Sequence, residues 1–263
     1  MNLVIVQARM GSSRLPGKVL KEVCGKTLLE LQYERIQQAT QVERTIIATT
    51  TGLLDDAIAE LCQSRAIEYF RGSEEDVLDR YYQAARQTDC RSGDAVIRIT
   101  ADCPLLDPTI LDQVVELFWK AGVDYASNTN PPTFPDGMDV EIFKYEALEQ
   151  AWQEANLLSE REHVTPYLRN HGGIFSQTNL NNNIDLSHLR LTVDESEDLE
   201  LVRFIYERLY PHNSAFLLTD ILRVLDENPG ISDVNRRFKR NEGYEKSLRE
   251  DKVVSLGGDS NDE

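Results

Sequence analysis

NLVIVQARMGSSRLPGK, residues 2–18, decides how the rest of the chain is read. Residues 2–8 form an apolar run of strand length, and Arg9–Lys18 follow without a break. That loop holds two glycines, two serines, two arginines and a lysine. A buried strand running into such a loop is how α/β proteins build anion sites: small residues let backbone N–H groups approach oxygens, while Arg14 and Lys18 supply positive charge. Two familiar phosphate loops do not fit. Five residues separate Gly11 from Gly17, one more than a Walker loop allows, and Val19 follows Lys18 where a hydroxyl is needed. The dinucleotide pattern G-x-G-x-x-G is absent as well. The reading is a nucleoside triphosphate loop of another type, with a mobile basic β–α loop as the bland alternative.

Working outward, the first half alternates strand and helix. Strands are expected at 2–8, 44–50, 66–70, 94–100 and 123–127, with helices at 27–39, 54–65, 73–88 and 108–121. Thr27 with Glu30 spells a capping box, and Ser73 with Asp76 a variant of one. Strands apolar almost throughout, each followed by a helix, imply a mainly parallel sheet with helices on both faces.

The pattern changes after residue 127. Residues 128–142 carry three prolines and a glycine and read as a long loop leading to a strand at 138–143. Helices at 144–156 and 159–170 follow, the second opened by Ser159 with Glu162. Strands at 174–179 and 189–193 and helices at 195–209 and 214–228 complete the reading. Residues 128–188 are an excursion from the sheet, and 189–228 a return to it. One domain over 1–244 is expected, with a frayed polar tail at 245–263.

A net charge of −17 argues against a nucleic-acid surface, which needs a basic stripe, but not against a nucleotide. No apolar run approaches a membrane span, and residues 1–20 do not read as a signal peptide, so a cytoplasmic protein without a membrane partner is expected. Cys24, Cys62, Cys90 and Cys103 are too widely spaced for a zinc site or a disulfide framework.

Ligands of parallel sheets lie beyond the carboxyl ends of the strands. The first strand end offers Ala8, Arg9, Gly11, Ser12, Ser13, Arg14 and Lys18. The third offers Arg71, Ser73, Asp76 and Arg80 for a base or ribose, and the fourth Thr100, Ala101 and Asp102. Asp102 and Asp194 both close apolar strands at one expected sheet edge, a pair suited to Mg²⁺, although either could simply cap a turn or helix. Arg161, Arg169 and Arg190 are open as partners for a substrate carboxylate.

The strings QARMGSSRLPGKVL, RGSEEDVLDRYYQAA, RITADCPLLD, PDGMDVEIF, EREHVTPYL and LRLTVDESEDLEL occur in that order. Together they resemble the cytidylyltransferases of the CMP–acylneuraminate and CMP–KDO synthetase superfamily, nearest to the spore-coat polysaccharide branch. The resemblance runs from Val4 to about Leu225. It implies a GT-A-like, Rossmann-related nucleotidyltransferase fold, usually a homodimer, whose excursion helps to build the dimer and the sugar pocket. It also implies Mg²⁺-dependent transfer of CMP from CTP to an acidic sugar. Arg14, Lys18 and Asp102 would be the catalytic set, with Asp102 and Asp194 on the metal. Asn128, Asp136, Asp139, Glu141, His163 and Arg190 are the candidates facing the sugar. Close relatives often carry Gly before the metal-binding Asp, where this chain has Ala101.

Two rivals remain at this stage. A GT-A glycosyltransferase would show a D-x-D motif after a strand, and Asp139-Val140-Glu141 is its nearest imitation here. A non-catalytic nucleotide-binding scaffold would not need Arg14, Lys18, Asp102 and Asp194 together.

Overall fold

The computed structural model describes residues 1–254. The strands are β1 (Asn2–Gln7), β2 (Glu22–Val23), β3 (Lys26–Thr27), β4 (Arg44–Thr50), β5 (Tyr69–Gly72), β6 (Ala95–Thr100), β7 (Tyr125–Ser127), β8 (Glu141–Lys144) and β9 (Gln177–Asn179). The first five helices are α1 (Leu28–Ile36), α2 (Asp56–Ser64), α3 (Val77–Gln87), α4 (Pro108–Ala121) and α5 (Tyr145–Glu154). The others are α6 (Leu158–His163), α7 (Pro166–Asn170), α8 (Ser196–Leu209), α9 (Leu218–Glu227) and α10 (Glu242–Arg249).

Seven strands form one sheet in the order β5-β4-β1-β6-β8-β7-β9. Its β5, β4, β1 and β6 are parallel, and β8 enters antiparallel between β6 and β7. The fold is therefore α/β with a mainly parallel sheet. The apolar run of β1 has a direct cause. Leu3 and Ile5 pack toward α3 and α5, Val4 and Val6 toward α1, α2 and α4, and all four are fully buried. Each burial stabilises by about 1.5–3 kcal/mol. A third cluster joins α8 and α9 to Leu28, Leu31, Phe134 and Met138.

Local chemistry set several boundaries. Thr27 and Glu30 form the expected capping box on α1. At α3 the cap moves to Asp76, whose Oδ1 accepts from Asp79 N at 2.9 Å, while Ser73 Oγ accepts from Asp76 N. The single helix expected at 159–170 is two, α6 and α7. Pro166 cannot donate and disfavours a helical residue before it, and Val164 turns to φ +72°. Glu160 rather than Glu162 serves the start of α6, accepting from Leu157 N at 3.2 Å.

Residues 189–193 do not rejoin the sheet. They run beside the loop after β8's neighbour β6: Val193 N and Thr192 Oγ1 both donate to Asp102 O, and Arg190 bridges Asp136. Gly137 makes this approach possible. At φ +101° it lies so close that a Cβ would sit 2.6 Å from Leu191 C and Thr192 N.

The frayed tail is also corrected as far as residue 254. α10 lies on α6, Asp251 accepts from Ser159 N and Oγ, and Leu158 N donates to Lys252 O at 2.8 Å. The rest of the expected tail, 255–263, lies outside the described residues. No helix among the described residues is long and apolar enough to cross a membrane.

Candidate active site

Lys18 is where three distant segments meet. Its Nζ donates to Asp102 Oδ2 at 3.0 Å, Asp194 Oδ1 at 2.8 Å and Val193 O at 2.8 Å. Burial would lower the lysine, but the two carboxylates outweigh it and hold its ammonium above the usual value. Burial would likewise raise Asp102, yet Lys18 and neighbouring hydrogen bonds bring it down to about 2. Arg14 reaches the same place from the exposed part of the loop, pairing with Asp194 at 2.9 Å and lying 3.5 Å from Glu195 and from Glu242. Four of the sequence candidates, Arg14, Lys18, Asp102 and Asp194, thus share one cluster.

The loop itself is anchored from behind. Asp55, which sequence reading did not single out, is buried and accepts from Met10 N, Thr49 Oγ1 and Thr50 N and Oγ1 at 2.6–3.1 Å. Ala8 is buried at the end of β1, whereas Arg9, Gly11 and Ser13 are exposed and Ser12 Oγ accepts from Leu15 N. Ala101 is buried with its N–H on Gln7 O, and Thr100 Oγ1 lies 3.3 Å from Cys103 Sγ. Arg80 is buried against Gly72 and donates to Ser73 O at 2.5 Å. Its Nε, like Gln7 Oε1, is buried without a protein partner.

Beyond Asp136 and Asp139 opens a polar pocket. The sheet and excursion contribute Arg98, Thr129, Asp139, Glu141, His163, Thr165 and Arg169 to its wall. The C-terminal segment contributes Arg240, Asn241 and Tyr244. Glu141 is pinned by Arg98 at 2.5 Å, Tyr125 Oη at 2.6 Å and Thr165 Oγ1 at 2.7 Å. Burial alone would raise its carboxyl, and these partners leave it below its usual range. Burial pushes Asp139 up to about 7 against the pull of Arg240, with which it pairs. Burial also brings the His163 imidazole down to about 4, helped by Arg98, while its Nε2 lies 2.9 Å from Ser247 Oγ.

Some sequence candidates are occupied with the fold itself. Asn128 is fully buried, its amide donating to Met138 O and accepting from Val140 N. Arg190 lies in a buried network with Asp136, Asp194 and Asp198, each at 2.9 Å, and is not among the residues lining the polar pocket. Asp76 caps α3 and pairs with Arg161 at 2.5 Å, joining α3 to α6 instead of facing a nucleotide. Arg71 clamps the turn after β4 through Thr50 O, Gly52 O and Asp56. Asp139 and Glu141 face different arginines, so the imitation D-x-D is not a carboxylate pair. Arg98 stands out as the one charge within the apolar run of β6, but the sequence does not show which partner would hold it. Arg240, Asn241 and Tyr244 were missed because their segment is polar and buries almost nothing apolar, Ser247 being the one buried residue of α10.

Comparisons with known proteins identify the family. The cytidylyltransferase family profile matches residues 3–211. An uncharacterized protein of Methanocaldococcus jannaschii is 37% identical over 250 residues, 94% of this chain and 97% of its own. The spore coat polysaccharide biosynthesis protein SpsF of Bacillus subtilis is 32% identical over 241 residues, covering 86% and 95%. A 3-deoxy-manno-octulosonate cytidylyltransferase of Hydrogenovibrio crunogenus is 33% identical over a shorter stretch, 53% of this chain and 55% of its own. The solved structure of a cytidylyltransferase from Leptospira borgpetersenii superposes with a TM-score of 0.82 at 32% identity, covering 90% of this chain and 98% of that one. The match spans the glycine loop, Asp102 and Asp194 alike, and on it the chain belongs to the cytidylyltransferase family.

Proposed function

We propose that this chain transfers CMP from CTP to a hydroxyl of an acidic sugar, releasing pyrophosphate, for a surface polysaccharide. The observation that carries the reading is the contact of Lys18 with both Asp102 and Asp194 at the foot of the glycine loop. These carboxylates fit a hard divalent cation. Both lie within 3.0 Å of one ammonium, and Mg²⁺ takes one or two carboxylates together with phosphate and water oxygens. When bound there, Mg²⁺ would neutralise phosphate charge and acidify the attacking hydroxyl.

The chain's own residues do the rest. Gly11–Lys18 receives the triphosphate, and Lys18 and Arg14 turn from carboxylates to phosphate oxygens as CTP enters. The polar pocket holds the sugar so that its hydroxyl oxygen faces the α-phosphorus. That oxygen forms the new P–O bond, the bond to pyrophosphate breaks on the opposite side, and the hydroxyl proton is lost. Alignment and charge neutralisation supply the catalysis, with no covalent intermediate on the protein. Arg80, with its unbonded Nε, and Gln7, with its unbonded Oε1, are suited to reading the base. The family resemblance adds a homodimer formed through the 128–188 excursion.

The test is pyrophosphate release with CTP, ATP, GTP and UTP, each with Mg²⁺, against octulosonic and nonulosonic acids. Release confined to CTP and an acid is the expected result. Absence of CTP binding would refute the proposal.

A further inference from the structure

We infer that Arg169 is the receptor for the substrate's carboxylate and that the C-terminal segment 240–254 is the wall that selects the acid. This rests on the transfer reading above and adds the group that recognises the substrate.

Three arginines are open in the sequence as carboxylate partners, and tertiary structure separates them. Arg161 is bound to Asp76, and Arg190 to three aspartates. Arg169 lines the pocket, half-buried, and has no carboxylate at ion-pair distance among the described residues. Its Nε is buried without a hydrogen-bond partner, as are Arg98 Nε and Thr129 Oγ1 on the same wall. Buried polar atoms are nearly always satisfied, so three such atoms around one cavity point to a polar ligand.

Charge narrows the ligand's class. The pocket holds three guanidinium groups but two carboxylates, and Glu141 and Asp139 already face Arg98 and Arg240. Arg169 is the one of the three without a carboxylate at ion-pair distance among the described residues, Glu141 acting on it only from farther off. A planar fork with no contact ion pair suits a carboxylate, which it can bind through two parallel hydrogen bonds.

The wall that presents Arg169 comes from the C-terminal segment. The Arg169 guanidinium lies 5.2 Å from the centre of the Tyr244 ring, and that ring meets His163 edge-on at 5.0 Å. Ser247 bonds His163 and Glu162, and Asp251 bonds Ser159, which ties the segment to α6. The family match ends at residue 211, so this wall lies outside the part of the chain that carries the shared motifs.

The test uses the full chain with CMP present. Calorimetry measures binding of 3-deoxy-manno-octulosonate and a nonulosonic acid, and of their carboxamides. CTP affinity is the control, and wild type is compared with R169M, R169K and Y244A. Wild type is expected to prefer an acid to its carboxamide at least about tenfold. R169M should weaken that acid about 30- to 100-fold while leaving the carboxamide and CTP within about twofold. R169K should recover part of the loss, because a point charge replaces the fork, and Y244A should weaken the acid about 3- to 10-fold. An acid affinity in R169M within about threefold of wild type would overturn the inference. So would a wild type that binds CTP but prefers no acid to its carboxamide, a readout that needs no variant to fold. A wild type that binds the acid through Arg169 yet releases no pyrophosphate from CTP would refute the transfer and leave the receptor standing.

Discussion

Replacing Arg190 by methionine separates a structural arginine from a substrate-binding one. Its side chain is 7% exposed and its three partners, Asp136, Asp194 and Asp198, are 14%, 17% and 0% exposed. Breaking a buried ion pair from one side costs about 3–5 kcal/mol, because the remaining charge loses its compensation. Here each carboxylate keeps a second partner: Lys18 for Asp194, Asn235 for Asp198 and Arg240 at 4.0 Å for Asp136. The loss is therefore expected at the lower end, about 3 kcal/mol, or a fall in Tm of about 6–12 °C for a chain of this size. Urea unfolding followed by circular dichroism at pH 7 measures it. Acid provides an internal check. Burial would raise the Asp198 carboxyl, but its bonds to Arg190 and to backbone N–H groups hold it below the usual range. A carboxyl lowered by folding stabilises above its unfolded pKa and loses that contribution as pH falls through the folded one. The gap between wild type and R190M should therefore narrow below about pH 4. A stability loss under about 1 kcal/mol, accompanied by weaker binding of the acid, would refute this reasoning and return Arg190 to the substrate site.

Lys18→Met should reduce CTP-dependent pyrophosphate release by at least about 100-fold, read in a steady-state assay. The same variant should flatten the acid limb of stability between pH 4 and 2: Asp102 is lowered to about 2 chiefly by overcoming burial through Lys18, so that contribution, present above its ordinary pKa of 3.8, is what acid removes from wild type. Gly137→Ala should cost more than about 1 kcal/mol in chemical unfolding, since the residue needs φ +101° and a Cβ there meets the 191–192 backbone at 2.6 Å. A thiol reagent should label Cys24 in the native protein and spare Cys62, Cys90 and Cys103, which are buried; burial pushes Cys62 and Cys90 up to about 12 and Cys103 also well up. Mass spectrometry of the labelled peptides checks this.

What the sequence determined by itself follows from short-range patterning. An apolar run such as Leu3–Val6 is buried on both faces wherever helices cover a parallel sheet, so it announces a doubly covered strand. The glycine loop follows directly from β1, and Asp102 and Asp194 could be read as closing apolar segments. Arg14, Lys18, Asp102 and Asp194 were therefore legible as a set before their positions were known. Tertiary structure decided which charges are committed to the fold and which remain for a ligand. Arg161, Arg169 and Arg190 look alike in sequence, since an arginine's role depends on what lies within about 4 Å of its guanidinium, and that is set by segments far away in the chain. Asp76, from α3's cap, occupies Arg161, and three aspartates occupy Arg190. Arg169 has no ion pair among the described residues and lies beside the Tyr244 ring, which comes from a polar helix that docks on α6 through Ser247 and not through an apolar face.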